Sequence, residues 1–186
     1  MLISAAYLGV FVIGAFQVLF PLIVRDAYGG TEAQQAGRLG VLLAGFWGAC
    51  FVSAVLLSRI KPLRRPGRAL LSSHLVGAAA LFTFAIETPF YWFLAVVVLW
   101  GLVAGVAMSM SRTIVQGAAS PGFLGRVLAV YSMGFMGGAP LGSAVVGYAA
   151  HEWGARASAL LPAAGLSVAA IALALATPLW RYSAAD

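Results

Sequence analysis

Short polar breaks divide the chain into six long apolar segments: 2–24, 39–58, 69–86, 90–116, 127–150 and 157–180. Each is near the ~20 apolar residues that a helix needs to cross a bilayer. β-Barrel spans would be about ten residues long and alternate in polarity. These segments are longer and apolar all round, so the expected fold is an all-α membrane protein with six transmembrane helices forming one bundle over 1–186. Composition agrees: 62% of the residues are hydrophobic and 9% charged, against about 25% charged in soluble domains. The first segment has no charge ahead of it and is too long for a signal peptide, so it reads as a span. The single cysteine, Cys50, excludes an intrachain disulfide and reads as a small buried hydrophobe.

The breaks carry recognisable stop signals. Pro62, Pro66 and Gly67 interrupt a basic loop, Glu87-Thr88-Pro89 makes a tight break, and Pro121-Gly122 lies in a loop over 117–125. The polar stretch 25–38 reads as a loop as well. If the N-terminus is cytoplasmic, the inner side holds Arg59, Lys61, Arg64, Arg65, Arg68, Arg112, Arg126 and Arg181, which is 8 of 11 basic residues. Only Arg25, Arg38 and Arg156 then lie outside, together with Asp26, Glu32, Glu87 and Glu152. The positive-inside rule therefore predicts both termini in the cytoplasm. The net charge of +6 is membrane-flanking charge of this kind, and no nucleic-acid partner is expected.

No catalytic constellation is evident. Asp26 and Asp186 flank spans, and His74 and His151 are too far apart for a zinc-protease helix. There is no G-x-S-x-G elbow and no phosphate-binding loop. An enzyme is not expected, and neither a metal nor another cofactor is. His74 reads as a packed or interfacial residue and His151 as a solvated one.

The informative residues are small or polar ones inside spans. Gly101 and Gly105 form a small-xxx-small pair, and Gly134, Gly138 and Gly142 a longer one with Pro140 inside it. Such pairs allow close helix approach, and a proline within a span marks a flexing point. On the fourth segment Ser109, Arg112, Thr113 and Gln116 follow an i, i+3, i+4, i+7 spacing, so they share one stripe, continuing Gly101 and Gly105. On the first, Tyr7, Gly14, Gln17 and Pro21 are spaced similarly. Polar groups at that depth face protein or a water-filled cavity, so the first and fourth spans are expected to share a polar interior. Arg112 lies near a helix end and reads either as a snorkelling arginine or as a substrate contact. No carboxylate lies within a span, so no proton site of the usual intramembrane kind is apparent.

Arg112-Thr-Ile-Val-Gln116, Pro121-Gly-Phe-Leu-Gly125-Arg126-Val127 and the glycine- and proline-rich run from Tyr131 to Gly147 resemble the tenth and eleventh helices of a major facilitator superfamily transporter. The similarity is to the exporter branch that handles enterobactin-type siderophores and macrolides. Gln17-Val-Leu-Phe-Pro21 through Asp26 resembles a seventh helix and its outer loop. The resemblance implies the C-terminal six-helix half of a twelve-helix transporter, built as a 3+3 inverted repeat. It implies efflux, as an antiporter, of a small amphipathic substrate from a bacterial inner membrane by alternating access. Tyr7, Gln17, Ser109, Arg112 and Gln116 would contact substrate. Arg59, Arg126, Gly134, Gly138, Pro140 and Gly142 would serve gating. The loop motif Gly-x-x-x-Asp-Arg is altered here to Ala54-Val-Leu-Leu-Ser58-Arg59, so any latch relies on the arginine. The expected partners are the lipid bilayer and either an N-terminal half, of which this chain would be the separated fragment, or a second copy. A non-transporting membrane scaffold is the reading from another class.

Overall fold

The computed structural model describes residues 9–10, 15–60 and 63–177. Tyr7, Gly14, Lys61, Trp180 and Arg181 lie outside these residues. Every regular element among them is helical. In chain order they are α1 (Ala15–Ile23), continued by a π turn over Val24–Tyr28, then α2 (Glu32–Arg59), α3 (Pro66–Thr83), α4 (Phe90–Ala118), α5 (Leu124–Trp153) and α6 (Ala155–Ala176). The first turn of α6, Ala155–Ser158, is set off from Leu160–Ala176 at Ala159. Among the described residues four helices, α2, α4, α5 and α6, are long and apolar enough to cross a membrane.

Helix ends differ from the hydropathy boundaries where polar residues cap them. α2 starts at Glu32, seven residues ahead of the apolar run beginning at Leu39. Thr31 is the reason: its hydroxyl accepts from Gln34 N at 3.4 Å, while Gln34 Oε1 accepts from Thr31 N at 3.0 Å. This capping box satisfies two of the helix's orphan groups, and Glu32 favours the positive helix start. The expected loop over 25–38 is thus mostly helical, with only 29–31 outside the π turn and α2. The expected loop over 117–125 is also mostly structured: α4 runs to Ala118, Pro121–Phe123 form a 3-10 turn, and α5 starts at Leu124. Pro66 opens α3 at a position where its missing N–H costs nothing.

α4 is the centre of the packing, with α2 and α3 against it and α6 against α3. α2 and α4 meet through small residues. A methyl group at Gly101 would run into the Phe46 carbonyl, and one at Gly105 would run into Ser53 Oγ and lie 2.7 Å from the Cys50 carbonyl oxygen. Cys50 is buried here as expected, its Sγ donating to the Gly101 carbonyl at 3.1 Å. α5 approaches the start of the chain in the same manner: a methyl at Gly142 would strike the Val10 carbonyl, and one at Gly9 the Phe135 carbonyl. Backbone contact this close replaces the hydrophobic drive that helices lack in lipid.

Aromatic rings fill the space between helices. Trp100 of α4 is buried, with Phe46 of α2 at 4.9 Å, Phe84 after α3 at 5.6 Å and Phe20 of α1 at 6.2 Å between ring centroids. Phe20 also meets Phe93 at 6.2 Å edge-on.

The α1–α2, α3–α4 and α5–α6 connections gather at one end of the bundle, where Asp26, Glu32, Glu87 and Glu152 also lie. We call this the acidic end. Its arginines are tied to the protein. Arg25 pairs with Asp26 at 2.6 Å. Arg38 donates to the carbonyls of Tyr28 at 2.7 Å and Gly29 at 2.9 Å, and Tyr28 in turn donates to the Thr88 carbonyl at 2.9 Å. Arg156 donates to the carbonyls of Phe84 and Ile86, joining α6 to the α3–α4 turn. Those carbonyls follow a helix end and need donors. Arg156→Ala is therefore expected to destabilise the protein by about 1–2 kcal/mol. A lower melting temperature in detergent would register this, and an unchanged one would show that water replaces the guanidinium.

Candidate functional site

The site residues expected from sequence fall on three kinds of surface. On α4, Arg112, Thr113 and Gln116 are exposed and Ser109 is half-buried, its carbonyl accepting from Thr113 Oγ1 at 2.9 Å. Gly101 and Gly105, on the same side of the helix, are covered where the polar residues are open. They are buried against α2, although the spacing puts all six residues on one side of α4. The reason lies in α2: none of its residues after Ser53, which stands opposite Gly105, is buried. α2 covers the first part of the α4 stripe and leaves the polar part open.

Gln17 is exposed on α1 between the buried Phe16 and Phe20, and Pro21 is exposed one turn on. No hydrogen bond joins Gln17 to the α4 stripe among the described residues. Tyr7 falls outside those residues. Arg59 is exposed in the last turn of α2 and Arg126 in the first turn of α5, with its guanidinium 5.7 Å from the Phe123 ring centre. On α5, Gly138 and Gly142 are buried, Gly134 is half-buried and Pro140 faces outward. α5 stays continuous through Pro140, whose missing N–H leaves the Met136 carbonyl without its helical donor.

The structure adds two residues that the sequence did not single out. A cleft of about 250 Å³ opens between α4 and α5, lined by Met108, Arg112, Leu128, Tyr131, Ser132 and Phe135. It brings the charge of Arg112 beside the Tyr131 side chain. The Tyr131 and Phe135 rings stack, 6.4 Å apart and nearly parallel. Position near the start of α5 was the only sequence signal for Tyr131 and Ser132. Spacing along one helix does not tell which neighbour it meets.

His74 is buried in α3, as one of its two expected readings had it. Its Nδ1 lies 2.8 Å from the Leu70 carbonyl, so that nitrogen carries the proton. His151 is exposed in the last turn of α5. Among the described residues no three His, Cys, Asp or Glu side chains gather to hold a metal. What the site offers chemically is a polar, hydrogen-bonding strip with one cation, set in otherwise apolar helices. It suits the binding of a molecule with both polar and apolar parts.

Comparison with protein families matches residues 1–186 to the model of the transmembrane secretion effectors, a branch of the major facilitator superfamily. No curated protein matches the chain. No solved structure matches it either.

Proposed function

The chain belongs to the transmembrane secretion effector family of major facilitator transporters, and from that premise we propose that it exports a small amphipathic molecule by alternating access. The carrying observation is the exposed strip Ser109, Arg112, Thr113 and Gln116 on α4, a helix otherwise apolar enough to span a membrane. In a bilayer such a strip is costly against lipid and suits a water-filled cavity. Gln17, exposed on α1, extends the same cavity, and Arg59 and Arg126 serve its inner gate. All six segments span, as a 3+3 inverted repeat with both termini cytoplasmic. The pairing of Arg25, Arg38 and Arg156 within the protein supports this orientation, since those three are held by local partners at the acidic end.

A cavity needs a second wall. The bundle therefore works against another six-helix bundle, either a preceding half or a second copy. Outward-facing Trp47, Phe51, Met133, Met136 and Leu141 on α2 and α5 supply apolar surface for it. The described carboxylates all lie at helix ends, so proton coupling falls to the second bundle.

In the two-bundle protein, Gln17→Leu with Gln116→Leu is expected to cut export of a fluorescent amphiphile from vesicles at least ~10-fold at unchanged expression, a loss of ~1.4 kcal/mol or more. Unchanged export would assign both glutamines to packing. Mass measurement in detergent separates the two partner choices, a strict monomer removing the homodimer. Crosslinking through Cys50 would not serve, because that thiol is buried against α4.

A further inference from the structure

We propose that the cleft between α4 and α5 is an anion site, binding the carboxylate or phosphate headgroup of an amphiphile on Arg112, Tyr131 and Ser132. Its first support is charge. Arg112 lies near the end of α4, whereas Glu87 lies just before the start of that helix, ~37 Å away at ~1.5 Å per residue. The other described carboxylates, Asp26, Glu32 and Glu152, share the end where Glu87 lies. That separation is several Debye lengths, each ~8–10 Å at ordinary salt. Among the described residues no carboxylate lies within ion-pairing reach of Arg112, so a bound molecule can supply the counter-charge. The nearest end of the bundle instead adds Arg59, Arg64, Arg65 and Arg126, which raise the positive potential there.

The second support is the cavity. About 250 Å³ accommodates ~8 water-sized groups at ~30 Å³ each, enough for a headgroup and the first methylenes of a chain. Its walls divide accordingly. Arg112, Tyr131 and Ser132 offer donors, and Met108, Leu128 and Phe135 offer apolar surface. A guanidinium with a neighbouring hydroxyl binds oxyanions through charge-assisted bonds.

The third is an unpartnered group. Ser111 is fully buried, it faces Tyr131, and its Oγ makes no hydrogen bond of normal geometry. Buried hydroxyls without partners are uncommon and call for an explanation. Here a headgroup that draws in the Tyr131 hydroxyl can complete the chain from Ser111 through Tyr131 to the anion.

The site takes up the strip used in the transport reading and rests on that reading where the anion is the exported compound. Binding is measured without transport, so each can fail alone. Titration of the purified full chain in a neutral maltoside with dodecyl phosphate, and with dodecanol as the uncharged probe, tests it. Dodecyl phosphate should bind at least ~10-fold more tightly. Arg112→Gln should abolish that preference, Arg112→Lys should keep most of it, and Tyr131→Phe should weaken it several-fold. Arg64→Gln, at the same end but outside the cleft, should leave it intact. Equal binding of both probes, or equal losses from Arg112→Gln and Arg64→Gln, would overturn the proposal. Native mass spectrometry assigns the source. Phosphatidylglycerol retained by the wild type and lost from Arg112→Gln identifies a lipid headgroup. Dodecyl phosphate binding with no retained lipid identifies an exported anion.

Discussion

Gly105→Val should prevent α2 and α4 from closing and largely abolish the folded protein. A side chain at this position would overlap Ser53 Oγ and press on the Cys50 backbone, with the carbonyl oxygen 2.7 Å and the Cα 2.9 Å from the new Cβ. Two of these three atoms are backbone in the middle of α2 and cannot rotate away. Overpacking of a tight core costs ~1–3 kcal/mol, and contact with fixed backbone puts this case at the upper end or beyond. In lipid little opposes separation of the two helices, since their apolar faces are as well solvated by acyl chains as by each other. Loss of the monodisperse peak in detergent chromatography would report the failure. Gly48→Val and Gly147→Val are the matched controls. Neither glycine has an atom within 4 Å of the added Cβ, so both should be tolerated. If Gly105→Val behaves like them, the close α2–α4 approach is not the basis of the bundle.

Trp100→Ala is expected to destabilise the protein by about 3 kcal/mol. This is the low end of the ~3–5 kcal/mol seen for large aromatic truncations in soluble cores. The low end applies because the unfolded reference is a set of helices in lipid, which removes the water-transfer part and leaves the cavity and dispersion parts. Trp100 is 1% exposed and joins rings from α1, α2 and the end of α3. A void there would loosen several interfaces at once. Thermal unfolding in detergent should show a lower midpoint, and Trp100→Phe, which keeps a ring, should recover part of it. A midpoint equal to the wild type would mean that neighbouring side chains collapse into the space.

Much of the fold could be read ahead of the structure because helices in a membrane satisfy their backbone within one segment. The breaks at Glu87–Pro89 and near Pro62 to Gly67 are local signals, and helices end beside both. α2 starts ahead of its apolar run, where hydropathy weighs Gln34 and Gln35 as loop residues. The Thr31–Gln34 capping box makes them the first turns of a helix. The roles of Gly101 and Gly105 as contact residues were also readable, since a stripe of small residues has few other uses in lipid.

The sequence by itself determined that this is a membrane-embedded, all-helical chain, that most of its basic residues are segregated from its acids, and which apolar segments carry polar stripes. Hydropathy, charge order and helical period are properties of single segments, so one chain suffices to state them. Tertiary structure alone decided which part of each stripe is covered. It buried Gly101 and Gly105 beneath α2, left Ser109, Arg112, Thr113 and Gln116 open, and set Tyr131 and Ser132 beside Arg112. The physical reason is that coverage depends on where two helix axes part. For α2 and α4 that point is the Ser53–Gly105 contact, a fact about a pair of helices that neither segment carries alone.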